Sequence, residues 1–224
     1  GVVVPRIDSN FFGSVIHGIE EELNQHGYHV IICQTDGIEA KEISNIDALL
    51  NSQVDGRLIS TSSNNLTTFD RILRKGVPLI FFDRKKTMKN VSSVTINDFD
   101  GGYKATKHLI ESGCVKIAHL SGDTNIEIFK DRFLGYKQAL IDHHIDFVKD
   151  YVVQTKSTIE DGKKAVKRLL KLSTPPDAIF SASDFAALGA IQELKAKNIK
   201  IPTDFSVIGF SNEPFTQFME LSIS

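Results

Sequence analysis

Cysteine is scarce in this sequence of 224 residues: there are two, Cys33 and Cys114, each in or beside an apolar run. That excludes a disulfide framework and suits reduced, buried thiols, which points to the cytoplasm. Charge of one sign is lacking too. The 26 basic residues are spread among 28 acidic ones, for a formal net charge of −2. No basic face large enough to hold a phosphate backbone is evident, and these residues are not expected to bind DNA by themselves. No apolar run approaches the length needed to cross a bilayer, so no membrane partner is expected. No secretory leader is expected from these residues, and a chain opening on glycine is expected to have been trimmed.

Several chemical signatures are missing as well. The first apolar run leads into Arg6-Ile7-Asp8-Ser9-Asn10 instead of a Gly-x-Gly-x-x-Gly turn, which leaves a pyrophosphate without a cradle. Gly101-Gly102 opens a helical stretch without the Lys-Ser/Thr pair of a P-loop, so close helix packing is the expectation there. His17, His26, His29, His108, His119, His143 and His144 show no compact ligand spacing with cysteine or carboxylate and read as surface or helix-end residues. No serine sits in a nucleophile elbow. No cofactor or metal is indicated, and the chain reads as a binding protein, not an enzyme.

What is present is length and apolar content, 41% hydrophobic, ample for more than one core. Short Val- and Ile-rich runs recur at Val2–Val4, His29–Cys33, Gly56–Ser60, Pro78–Phe82 and Val91–Ile96, with helical patterns between most of them. Repetition of this kind is βαβ, hence a parallel doubly wound sheet. After Ile96 the pattern restarts. A helix is expected from about Phe99 to Ser112, a strand at Lys116–Leu120 and a helix from about Arg132 to His143. A strand near Tyr151–Gln154, a helix Ile159–Leu172, a strand Ala178–Ser181, a helix Phe185–Lys197 and a strand Phe205–Gly209 follow. The fold class is therefore α/β with two parallel-sheet lobes, 1–96 and 97–224, and the chain crosses between them near Ile96-Asn97. Gly27 and Gly113 read as helix C-caps, and Gly76-Val77-Pro78 and Ile201-Pro202 lead into strands.

The turn Ser9-Asn10-Phe11-Phe12 ends the first strand. That edge of an α/β sheet is where ligands bind, so the two aromatics read as a ligand wall. Phe12 fits the core equally well, because it begins the helix carrying Val15, Ile16 and Ile19.

Segments in fixed order then carry a resemblance: Val3-Val4-Pro5 with Asn10-Phe11-Phe12, VIHGIEE (15–21), GYHVIICQ (27–34), Val54-Asp55-Gly56 and GVPLIFFDR (76–84). HLIESGCVKIAHLS (108–121), RFLGY (132–136), AIFSASDFAALG (178–189) and IPTDFSVIGF (201–210) complete it. Together they resemble the LacI/GalR family of bacterial transcription regulators, specifically the core that shares its fold with periplasmic sugar-binding proteins of type I.

The resemblance implies a small sugar-like effector bound in an interlobe cleft, a homodimer, and a helix-turn-helix headpiece ahead of Gly1 that reads DNA. It also implies that Ser224 is a truncation and that the first lobe lacks its return segment. Arg132 is placed at the start of a second-lobe helix as the leading ligand residue, its fork suited to paired hydroxyls or a carboxylate; a surface or interlobe salt-bridge role is the alternative. Asp83 and Arg84 stand at a strand end, as ligand contacts or as an ion pair fixing the loop. Ser183 and Asp184 stand where the family has Asn-Asp, contacting ligand or capping the following helix. Ser211 and Asn97 replace common acidic residues, with Asp98 beside the latter. Ser9 and Asp8 line the first turn, and Asp8 is alternatively a cap. Fewer carboxylates beside Arg84 and Arg132 make a phosphorylated or carboxylated sugar plausible. Within Glu39–Leu73 the stripe Ile43, Ile46, Leu49, Leu50 is a dimer-face candidate that equally fits core. The alternative function is a periplasmic sugar-binding protein of a transport system; a nucleotide-dependent enzyme comes last.

Overall fold

Three consecutive valines, Val2–Val4, form strand β1, and their β-branched side chains pack on both faces of a sheet, as a central parallel strand requires. The computed structural model describes residues 1–63 and 65–218, and the chain divides into two compact units, Gly1–Ile96 and Asn97–Ser224. The expectation about Ser224 falls outside the described residues.

The first unit follows β1 with α1 (Asn10–Gln25), β2 (Ile32–Gln34), α2 (Glu39–Asn51), β3 (Arg57–Ile59), α3 (Leu66–Arg74), β4 (Leu79–Phe82) and β5 (Ser92–Val94). Its sheet has the order β2-β1-β3-β4-β5, and every ladder is parallel. Alternation along the strands sorts the core into two faces. Val2, Val4 and Phe82 pack with Phe12 and Ile16 of α1. Val3, Ile59, Leu79 and Phe81 pack with Ile46 and Leu49 of α2 and Phe69 and Ile72 of α3. The α2 stripe is thus corrected for Ile46 and Leu49: they are at most 1% exposed within their own unit and cannot form a dimer face.

The second unit runs α4 (Asp98–Glu111), β6 (Ile117–Ser121), α5 (Glu127–Asp142), β7 (Val152–Gln154), α6 (Ile159–Leu169), β8 (Ala178–Ser181), α7 (Asp184–Ala196) and β9 (Ser206–Ile208), with short 3-10 turns at Lys149–Tyr151 and Pro214–Phe218. The parallel order is β7-β6-β8-β9. One face buries Leu120, Val153 and Ile179 under Val166 and Leu169 of α6 and Leu194 of α7, and the other buries Ile117, Phe180 and Ile208 under Leu109 of α4 and Tyr136 of α5.

Helix α5 begins at Glu127, not near Arg132. Its N-cap, Ile126, offers no side-chain oxygen, so no cap signal marks the start. Close packing at Gly102 is as expected: a Cβ there would lie 2.3 Å from the Arg132 carbonyl oxygen on α5. Both cysteines are free thiols, Cys114 buried and Cys33 half-buried. In each sheet the strand order reverses at the strand that comes first in the chain, β1 or β6, and ligands of such sheets bind outside the carboxyl ends near that reversal.

Candidate functional site

Arg132 is the best-anchored polar residue of the second unit. Because Gly102 lets α4 and α5 touch backbone to backbone, the side chain, on the second turn of α5, reaches the start of α4. Its Nε and Nη2 donate to Oδ1 of Asp98 at 2.8 and 2.7 Å, and Nη1 donates to the Ala182 carbonyl at 2.9 Å. The guanidinium plane lies over the Phe210 ring, 3.6 Å from its centroid. Gly101 makes room for that ring, since a Cβ there would sit 2.7 Å from it. Arg132 is 7% exposed and Asp98 5%, so this is a buried charge pair with an aromatic lid, held within one unit. A guanidinium held on Asp98 and the Ala182 carbonyl and stacked on Phe210 is fixed in one orientation.

Asp184 and Ser183 are placed otherwise than a capping role requires. Ser183 is the N-cap of α7 by backbone position but makes no side-chain cap bond. The Asp184 carboxylate, 2% exposed, accepts from the backbone N–H of Phe210 at 2.8 Å and of Glu213 at 2.7 Å. It clamps the chain that leaves β9. Burial pushes its carboxyl above the usual range, against the two backbone hydrogen bonds. Within the clamped segment Ser211 is exposed and holds φ at 103°, a left-handed conformation that disfavours a non-glycine residue. Asn97 caps α4: its Oδ1 accepts from Asp100 N–H at 3.0 Å.

In the first unit, Ser9 is the N-cap residue of α1 and lines a shallow pocket of about 510 Å³ with Ile7, Asp8 and Asn10. Asp8 does not cap the helix; its two oxygens accept from Arg6 Nε and Nη2 at 2.8 and 2.9 Å, which holds its carboxyl low. Phe11 is 40% exposed and Phe12 7%. Phe12 sits in the α1 core against Phe82, with centroids 6.4 Å apart, so Phe11 alone of the pair has a face to offer a ligand. Asp83 leaves β4 with φ at 56° and accepts from Ser60 Oγ at 3.0 Å. Arg84 donates from Nη1 to Ser62 Oγ at 2.9 Å, and its carbonyl accepts from Thr61 N–H at 3.2 Å. Arg84 Nε and Asp83 Oδ2 lie 3.8 Å apart.

Three features escape a reading of the sequence. Asp98 stands out there only as a neighbour of Asn97, yet it is the carboxylate that holds Arg132. Phe210 ends a strand pattern with no hint of the cation beneath it. His119, expected at the surface, is fully buried in β6 between Tyr136 and Phe180, with ring centroids at 5.1 and 4.8 Å. Its Nδ1 lies 3.0 Å from the Phe180 carbonyl; a carbonyl only accepts, so Nδ1 carries the proton. Burial lowers the imidazole pKa to about 4. The one available signal is its place inside the apolar run Ile117–Ser121. Among the described residues no cluster of three or more His, Cys, Asp or Glu could hold a metal ion, and no helix is long and apolar enough to cross a membrane.

A family model for periplasmic binding proteins and the sugar-binding domain of the LacI family matches residues 1–220. The chain belongs to that family. This LacI-type chain is 32% identical over 214 residues to the HTH-type transcriptional regulator DegA of Bacillus subtilis, covering 94% of the chain and 63% of the relative. It is 31% identical over 219 residues to the HTH-type transcriptional repressor PurR of Mannheimia succiniciproducens, covering 97% and 66%. The chain thus spans less than two thirds of the length of these curated relatives. Solved structures that share its fold include two at 28% and 29% identity. The transcription regulator CcpA of Lactococcus lactis has TM-score 0.90 and 28% identity, covering all of this chain and 82% of that one. A LacI family transcriptional regulator from Enterococcus faecium with bound ribose has TM-score 0.88 and 29% identity, covering all of this chain and 81% of that one.

Proposed function

We propose that this LacI-family chain is the effector-sensing core of a bacterial transcription regulator. It binds a small sugar or sugar derivative; the candidate contacts are Ser9, Phe11, Asp83 and Arg84 within the first unit and, taken separately, Arg132, Ser183 and Ser211 within the second. Arg132 carries the reading. A buried guanidinium stacked on Phe210 and steered by Asp98 supplies oriented donors for hydroxyls or an acidic group, and Phe11 covers the apolar C–H face of a sugar ring. Asn97 and Asp184 support the site by capping α4 and clamping the β9 exit.

The effector acts by favouring one arrangement of the two units over another, and that bias passes to a helix-turn-helix headpiece that reads an operator. The chain works by binding and not by turnover, in the cytoplasm, as a homodimer. Edge strand β2 supports self-association, since Ile32 and the preceding Ile31 are 47% and 45% exposed beside Tyr28 at 49%.

Calorimetric titration with ribose, glucose and ribose 5-phosphate tests the site. Binding that Arg132→Met abolishes while the fold persists is the expected result, and a preference for ribose 5-phosphate would assign an acidic effector. Unaltered binding by R132M would sink the assignment. The second reading, a transport receptor, rests on the family description covering both classes. A secretory leader on the native gene product would favour it, and a helix-turn-helix pattern there would exclude it.

A further inference from the structure

Arg84 owes its place to a residue on another element. Helix α2 carries Glu42, a carboxylate with 0% exposure inside the first unit. Its Oε1 accepts from Thr61 Oγ1 and its Oε2 from Ser62 N–H at 2.8 Å. Thr61 and Ser62 are the two residues of the β3 exit that hold Arg84, the first through its backbone N–H and the second through its hydroxyl. Thr61 Oγ1 also accepts from Ser63 N–H at 3.0 Å, and Ser63 Oγ donates to Glu39 Oε1 at 2.6 Å, so the exit loop is tied to α2 at successive residues.

We infer that Glu42 is a positioning residue for Arg84, acting through Thr61 and Ser62 to hold the guanidinium at the strand-end surface. The inference rests on the reading of Arg84 as an effector contact for its functional consequence, and on geometry alone for the positioning. The place requires a side-chain acceptor oxygen, because the Ser62 N–H can only donate and the Thr61 hydroxyl donates to Glu42. An aliphatic side chain would leave the half-buried Ser62 N–H without its side-chain acceptor. Glutamine can turn its carbonyl to Ser62 N–H and donate to Thr61 Oγ1, so Glu42→Gln is a conservative rescue.

Two measurements decide it. The first follows the Arg84 Nε–H resonance in chain carrying isotopically labelled arginine, identified by its loss in Arg84→Lys. The signal is expected to report an ordered side chain in the native protein and in E42Q. It should report a mobile one in Glu42→Ala and in Ser62→Ala, with the Arg132 signal unchanged in all. Ser62→Ala removes a single hydroxyl and keeps the test valid should E42A not fold. An ordered Arg84 in a folded E42A overturns the inference, whatever S62A shows. The second is ribose affinity in a double-mutant cycle. If Arg84→Ala weakens binding about tenfold, E42A should do likewise and the double variant should be no weaker than R84A. Independent, additive losses would mean that Glu42 acts through the fold and would overturn the inference. Ribose binding indifferent to R84A would instead remove Arg84 from the effector site, a failure of the proposed site that the resonance test distinguishes from a failure of positioning.

Discussion

The rings of Phe11 and Phe12 meet edge to face with centroids 5.0 Å apart at 74°, so the buried ring buttresses the exposed one from the core side. Adjacent aromatics should therefore separate cleanly in experiment. Phe12→Ala is expected to cost about 3–5 kcal/mol of stability by opening a cavity beneath α1. Phe11→Ala should cost only about 1–2 kcal/mol while weakening sugar binding. Denaturant midpoints and calorimetric affinities on the two variants check this, and equal destabilisation would contradict the stated division.

Breaking the Asp98–Arg132 pair from the acidic side should be severe. Asp98→Ala takes the carboxylate from a buried guanidinium that keeps the Ala182 carbonyl and the Phe210 ring, and a loss of roughly 3–5 kcal/mol is expected. Arg132→Lys replaces a planar fork by a point charge that cannot span Asp98, the Ala182 carbonyl and the Phe210 ring together. It should retain a folded second unit but bind sugar at least about tenfold less tightly, as titration of the lysine variant would show.

Two glycine-to-alanine changes should move stability in opposite directions. In an open helix position alanine is favoured over glycine by up to about 1 kcal/mol, and a Cβ added at Gly18 on α1 would meet nothing within 4 Å. At Gly102 the same methyl meets the Arg132 carbonyl oxygen at 2.3 Å, so forcing α4 from α5 should cost about 1–3 kcal/mol despite the propensity gain. Thermal melts of G18A and G102A give the signs directly.

Acid should weaken the second unit through His119. Its folded-state pKa, about 4, lies below the ordinary value of 6.5, so between those values the unfolded chain binds the extra proton. Stability is then expected to fall as pH drops from about 6.5 towards 4, by on the order of 3 kcal/mol from this residue. His119→Phe keeps the ring stack and removes the titration. Urea unfolding at pH 7 and pH 4.5 should show a smaller acid loss for H119F than for the native chain.

The Val2–Val4 and Pro78–Phe82 runs make the parallel sheets legible, because strands buried on both faces leave continuous apolar runs. The Gly101-Gly102 pair was likewise readable as close packing. The start of α5 was not, since Ile126 gives no cap signal. The α2 stripe could not be assigned to core or interface, because both need the same periodicity. Arg132 was found by its motif, but its carboxylate lies 34 residues away in sequence, and only the meeting of α4 and α5 brings them together. Asp184 looked like a cap because of its place before a helix, whereas its oxygens serve a loop 26 and 29 residues on.

Among the described residues every strand ladder is parallel, and that bears on folding kinetics. None of these strands pairs with its chain neighbour through a tight hairpin; Val3 finds Cys33 and Leu120 finds Val153 only after a helix has been threaded between them. The central strand β1 finishes pairing when Ile59 arrives. Loop closures of this span come before any reward in burial, so the chain should fold slowly for its size, and unpaired valine-rich strands should be its most aggregation-prone stretches during synthesis.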